Sequence, residues 1–287
     1  MSDATPTWTS LVSAEALAAA LGRSDVIVFD TRHTLAAPEA GEAAHRDAHI
    51  PGAFYAHLDR ELSDHRKKHD GRHPWPELHD FTAALGRWGV TPQHQVVVYD
   101  AADGALAAAR MWFLLRVLGH QRVAVLDGGL QRWESLGLPL EADMPVATPA
   151  AAYPAAFDQS RLLDAAQVQA HLDAGGLLLD ARAAERFRGE VEPIDRVAGH
   201  VPGARNRPYA LSMQDGRFRP AQDLAREFAG VLQGRDARDV VAMCGSGVTA
   251  CHLLLALEHA GVEGARLYTG SWSGWIDDPS RPVARGS

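Results

Sequence analysis

"VVAMCGSGVTACH", residues 240–252, passes from an apolar run through a cysteine and three small residues into apolar positions at helical spacing. The run at 240–243 is short and bounded by a glycine-rich turn, which predicts a buried strand, and the chain beyond Gly247 predicts a helix near 248–260. The same alternation recurs elsewhere. "VIVF" (26–29), "VVVY" (96–99) and "VAVL" (123–126) predict strands, whereas "ALAAARMWFLLRVLG" (105–119) has the composition and length of a helix. The leucine run at 177–179 and "ARLY" (265–268) complete the pattern in the second half. Strand and helix in alternation imply an α/β fold, a parallel sheet flanked by helices on both faces. In open sheets of this kind ligands lie outside the carboxyl ends of the strands. Cys244 falls at such an end.

The two halves of the chain repeat one another. "VIVFDTR" (26–32) returns as "LLLDAR" (177–182), "HIPGA" (49–53) as "HVPGA" (200–204), "QVVVYD" (95–100) as "DVVAMC" (239–244), and "LDGGLQRW" (126–133) as "YTGSWSGW" (268–275). A period of roughly 145 residues fits two average-sized domains and not a solenoid. Asp30 thereby matches Asp180, and Cys244 matches Asp100. We expect an N-terminal domain over 1–138, a linker over 139–158 carrying four prolines, and a C-terminal domain over 159–287.

Composition narrows the partners. The 287 residues are 46% hydrophobic and 22% charged, with 36 acids against 28 bases and a net charge of −8. No long single-sign block points to nucleic acid or an anionic membrane. The first residues, "MSDATPTWTS", lack the basic and apolar regions of a secretory signal, and no run of about 18 apolar residues occurs. The expectation is a soluble cytoplasmic protein acting on a small molecule or another protein. Two cysteines, Cys244 and Cys251, give no disulfide framework and no CxxC-type zinc site.

Cys244 is therefore either a packed small hydrophobe or a reactive thiol. "GSG" at 245–247 can turn tightly because glycine accepts positive φ, and the N–H groups of such a turn can converge as an anion cradle. A helix starting near Val248 or Thr249 adds its positive end to the same point. Both effects favour thiolate over thiol, the form a nucleophilic cysteine needs.

Taken together, "CGSGVTA", "GHVPGA" and "YTGSWSGW" resemble the second domain of tandem-rhodanese sulfurtransferases, and "AHIPGA", "VVVYD" and "LDGGLQRW" resemble their inactive first domain. The loop "CGSGVT" is similar to that of 3-mercaptopyruvate sulfurtransferases; thiosulfate-preferring members carry basic residues where this chain has Gly245 and Ser246. The resemblance implies a ping-pong reaction in which Cys244 takes a sulfane sulfur from 3-mercaptopyruvate or thiosulfate. The persulfide then passes its outer sulfur to cyanide, a small thiol or a thioredoxin-like acceptor, without metal or organic cofactor. The amides of Gly245, Gly247, Val248 and Thr249 are expected to hold the anion. The first half, with Asp100 at the cysteine position, is expected to be inactive.

The same resemblance nominates donor contacts and a proton relay. "DARAAERF" looks like the segment with the first substrate-binding arginine, here Arg186. The second normally follows an acidic-proline pair, but "EPID" places Ile194 there, leaving Arg196 or Arg188 as candidates. Ser246, His73 in "GRHPWP" and Asp59 in "HLDRELSD" match the relay that polarises the donor. His49 and His200 are better explained as stabilising turns, Asp30 and Asp180 as bonding local backbone, and Cys251 as a packed residue. Phosphatases of related fold use Cys, five residues, then Arg; the sixth residue after Cys244 is Ala250, which disfavours that chemistry. A non-enzymatic persulfide carrier or regulatory module is the alternative.

Overall fold

A computed structural model describes residues 7–105 and 107–286. Residues 1–6, where the first expected domain begins, Leu106 of the expected 105–119 helix, and Ser287 lie outside the described residues. Contacts divide the chain into two compact units. One runs to Ser63 and resumes over Pro76–Phe157; the other comprises Asp64–Trp75 and the chain from Asp158 onward. These units differ from the expected boundaries in two places, because 64–75 groups with the second unit and 139–157 with the first. Within the first unit, Ala150 N–H donates to Gly86 C=O at 2.9 Å and Tyr153 N–H to Thr82 C=O at 3.1 Å. The Tyr153 hydroxyl also meets His120 Nδ1 at 2.7 Å.

The first unit is built on β1 (Leu11–Val12), β2 (Val26–Asp30), β3 (Phe54–Tyr55), β4 (Gln95–Tyr99) and β5 (Val123–Leu126), all parallel, in the order β1-β5-β4-β2-β3. The second uses β6 (Leu162–Leu163), β7 (Leu177–Asp180), β8 (Arg205–Asn206), β11 (Val240–Met243) and β12 (Arg266–Tyr268) in the equivalent order β6-β12-β11-β7-β8. A short antiparallel pair, β9 (Met213–Gln214) and β10 (Arg217–Phe218), stands apart. The two-residue edge strands escape sequence reading because two positions carry no periodicity. The central strands are apolar at nearly every position because helices cover both faces of each sheet; every residue of β4 and β11 is buried. The helix Ala107–Val117 is apolar nearly all round and correspondingly buried. No described helix is long and apolar enough to cross a membrane.

The duplication extends to single hydrogen bonds. Asp30 Oδ1 accepts from Arg32 N–H at 2.9 Å, and Asp180 Oδ1 accepts from Arg182 N–H at 3.0 Å. Each arginine then folds back so that Nη2 meets its aspartate at 2.6 Å. Arg32 Nη2 also donates to Ala48 C=O, and Arg182 Nη2 to Gly199 C=O, one residue before His49 and His200. Those histidines bond the chain locally, His49 Nδ1 to His45 C=O and His200 Nδ1 to Phe187 C=O. The Arg182 and Asp180 side chains are at most 1% exposed, so removing one partner leaves an uncompensated buried charge. Arg182→Met is expected to lower the unfolding free energy of the chain by about 3–5 kcal/mol, measured by urea titration; a loss typical of a surface pair would contradict this.

Candidate active site

Cys244 follows β11 immediately, 2% exposed and a free thiol. Three hydrogen bonds fix the turn. Cys244 N–H donates to Ser271 Oγ at 3.1 Å, Cys244 C=O accepts from Trp272 N–H at 3.0 Å, and Gly245 C=O accepts from Ser273 N–H at 2.8 Å. Ser271 is buried at φ 50°, and its hydroxyl also donates to Tyr268 C=O. A non-glycine residue persists in the left-handed region only where its surroundings over-determine it; the two bonds of this hydroxyl do so. Gly247, at φ 77°, turns the chain into the helix Thr249–His259. Gly245 has no positive φ, contrary to the expectation for the whole "GSG", and its lack of a side chain serves space instead. On the helix, buried Cys251 donates its thiol to Gly247 C=O at 3.3 Å and braces the turn.

Among the described residues, the amides of Gly245, Ser246 and Val248 have no hydrogen-bond acceptor. The first unit displays what such amides hold. There Asp100 Oδ1 accepts from the N–H groups of Ala102 at 3.2 Å and Gly104 at 2.9 Å, the positions that correspond to Ser246 and Val248. The carbonyls of Asp100 and Ala101 accept from the amides of Leu130 and Gln131, as those of Cys244 and Gly245 do from Trp272 and Ser273. One copy of the turn cradles its own carboxylate; the other offers the same amides where the chain carries a thiol.

The segment Asp64–Trp75 brings further groups to the Cys244 turn. Gly71 sits at φ 89°, where a Cβ would lie 2.5 Å from the Gly270 carbonyl oxygen, and Arg72 N–H donates to Ser273 Oγ at 3.0 Å. His73, 3% exposed, places Nδ1 at 2.8 Å from Ser246 Oγ. Ser246 and His73 are thus hydrogen bonded across 173 residues of sequence. Asp59 lies in the first unit, where its N–H donates to His57 Nδ1 at 3.0 Å.

The arginines divide. Arg186 reaches the turn, with Nη1 and Nη2 each 3.8 Å from the position of a Cβ on Gly245. It is held by Glu192 at 2.7 Å and Asp195 at 3.1 Å. Burial opposes the charge on Glu192, but hydrogen bonds from Arg186 and from the Asp195 and Ile194 amides outweigh it and hold its carboxyl below the usual range. The two other candidates are engaged elsewhere: Arg188 pairs with Glu190, and Arg196 bonds Ile276 C=O beside Asp277 with its side chain 58% exposed. Neither is brought to the Cys244 turn. The arginine that sequence reasoning missed is Arg72, whose Nη2 lies 3.2 Å from the same Cβ position on Gly245. Its only signal in the sequence is adjacency to His73. The described residues contain no cluster of three or more His, Cys, Asp or Glu suited to a metal ion.

A model of the rhodanese-like domain matches residues 13–136 and again 164–278. The chain belongs to the rhodanese-like family. A Pseudomonas aeruginosa relative named "Probable 3-mercaptopyruvate sulfurtransferase" is 48% identical over 280 residues, covering 96% of this chain and 98% of the relative. A Mycobacterium tuberculosis protein, SseB, whose provisional name is thiosulfate sulfurtransferase, is 39% identical over 285 residues, 96% of this chain and 97% of its own. The crystal structure of the 3-mercaptopyruvate sulfotransferase SseA from Escherichia coli superposes with a TM-score of 0.78 at 32% identity, over 93% of this chain and 100% of that one. This rhodanese-like chain is accordingly an enzyme of sulfur transfer, and the alternative of a non-enzymatic carrier or regulatory module is set aside.

Gly71 sets the position of both Arg72 and His73 without being a reacting group. Gly71→Ala is expected to lower kcat/KM by about 100-fold, the cost of misplacing reacting groups by around an ångström, with far-UV circular dichroism unchanged. Unaltered kinetics would show that the segment need not sit where it does.

Proposed function

We propose that the chain moves a sulfane sulfur from 3-mercaptopyruvate, thiosulfate or both to a thiophilic acceptor through a persulfide on Cys244. The observation that carries this reading is the pair of matching turns, because the turn that holds a carboxylate in the first unit presents equivalent amides next to Cys244 in the second. The amides of Gly245, Ser246, Gly247 and Val248, with the helix N-terminus at Thr249, stabilise the thiolate and then the persulfide as anions. Relatives named for each donor support keeping both.

In the first half-reaction the Cys244 thiolate attacks the sulfur of 3-mercaptopyruvate. The new S–S bond forms as the C–S bond breaks, and pyruvate leaves as its enolate, which takes up a proton. With thiosulfate the S–S bond breaks and sulfite leaves. Ser246 and His73, hydrogen bonded at 2.8 Å, polarise the donor carbonyl and move the proton to the leaving enolate. Asp59 enters this relay on the sequence resemblance alone. In the second half-reaction cyanide, a small thiol or a thioredoxin-like thiolate attacks the outer sulfur, and the Cys244 thiolate is released. The first unit, its turn filled by the Asp100 carboxylate, takes no sulfur. Cytoplasmic conditions keep thiols reduced, which suits two free cysteines.

Steady-state thiocyanate formation with both donors tests the reading. Cys244→Ser is expected to abolish turnover with either donor, and Ser246→Ala to lower kcat with 3-mercaptopyruvate by about 100-fold and with thiosulfate by less. Turnover retained in Cys244→Ser would overturn the assignment of the nucleophile.

A further inference from the structure

We propose that Arg72 binds the anionic end of the sulfur donor, forming with Arg186 a two-arginine clamp over Gly245. The inference rests on the reading of Cys244 as the sulfur acceptor and adds the residue that grips the donor. Nη2 of Arg72 and both terminal nitrogens of Arg186 lie within 4 Å of one point, the place a Cβ on Gly245 would fill. That point belongs to the residue next to the nucleophile. Glycine there leaves the space in front of the turn to two guanidinium groups that reach it from distant segments of the chain.

The way Arg72 is held fixes which of its donors are left. Nη1 donates to Asp195 Oδ1 at 2.7 Å, and the other oxygen of the same carboxylate accepts from Arg186 at 3.1 Å, so Asp195, 4% exposed, ties the two arginines together. Nε of Arg72 is buried and has no hydrogen-bond partner among the described residues, and Nη2 is the nitrogen turned to Gly245. Nε and Nη2 form the side of a guanidinium that takes an oxyanion by two parallel bonds. This chain uses that side elsewhere: Arg188 grips Glu190 through Nε at 2.7 Å and Nη2 at 2.8 Å, and Arg66 grips Asp64 through the same pair of nitrogens. In Arg72 the protein takes neither nitrogen of that side: Nε lies beneath the surface, and Nη2 is the nitrogen that faces the turn. An N–H of a charged guanidinium that faces a small oxyanion forms a charge-assisted bond, stronger than a neutral one. The chemistry recognised is a carboxylate or sulfonate-like oxyanion carrying the transferable sulfur, which describes both 3-mercaptopyruvate and thiosulfate. Glu192 and Asp195 hold the two arginines in place, so Arg72 offers the donor a direct contact through Nη2 and Arg186 a second guanidinium beside it.

The test separates binding from turnover. In a Cys244→Ser background, which the proposed function expects to bind donor without reacting, 3-mercaptopyruvate and thiosulfate are titrated calorimetrically against chains with and without Arg72→Gln. Arg72→Gln is expected to weaken the dissociation constant of 3-mercaptopyruvate by about 10- to 100-fold, the range for losing charged hydrogen bonds. On the reactive chain it should raise KM by a similar factor with kcat changed less. Arg72→Lys keeps the charge and the Asp195 partner but replaces the planar guanidinium facing the turn with a point charge, so it guards against a folding defect and is expected to weaken binding by about tenfold. Unchanged donor affinity in both variants overturns the clamp, as does a loss confined to kcat. Turnover persisting in Cys244→Ser would instead overturn the nucleophile, a separate outcome.

Discussion

The architecture of the site depends on how one turn is pinned. Ser271 accepts from the Cys244 amide, and the next two amides, of Trp272 and Ser273, donate to the Cys244 and Gly245 carbonyls. These bonds occupy the polar groups that point toward the protein and leave the amides of Gly245, Ser246 and Val248 for something else. Since a buried N–H is expensive to leave unmet, a turn of this form calls for an anion. The arrangement is stiff because Ser271 is locked in a conformation disfavoured for its type. It is positioned by the sheet, because β11 and β12 run parallel side by side, and the cysteine turn and the serine lie at their carboxyl ends.

The internal duplication supplies a comparison that one domain could not. Both copies keep the strand order, the buried Asp–Arg pair and the carbonyl–amide bonds of the turn. They differ at the first residue of the turn, where a carboxylate satisfies the amides in one copy and a thiol stands in the other. Both copies thus present the same turn to whatever their first residue carries, a carboxylate in one and a thiol in the other. Conservation of the scaffold bonds in both copies also assigns Asp30, Asp180, Arg32 and Arg182 to structure.

Much of this was legible in the sequence because it rests on local patterns. The strands read from apolar runs are present, the helix near 248–260 occupies Thr249–His259, and the repeat correctly paired Asp100 with Cys244. Ser246 and His73 were named from motifs and stand hydrogen bonded. The second arginine at the turn is set by through-space placement that spacing alone does not carry. Arg196 is a candidate by its position after "EPID" and Arg188 as its replacement, whereas the structure pairs Arg188 with Glu190 and bonds Arg196 to the Ile276 carbonyl. Arg72 could not be chosen from spacing, since the segment carrying it sits inside the first repeat but packs with the second unit. In the sequence Gly245 reads as a conformational glycine, and the converging guanidinium groups show that it keeps space open.

The most direct test of the account is the site of sulfur loading. The full chain, exposed to one equivalent of 3-mercaptopyruvate without acceptor, is digested under non-reducing conditions and its two cysteine positions mapped by mass spectrometry. One added sulfur on Cys244, none on Cys251, and its removal by cyanide is the predicted result. An unmodified Cys244, or sulfur found on Cys251 instead, would contradict the claim that the pinned turn after β11 is the seat of the chemistry.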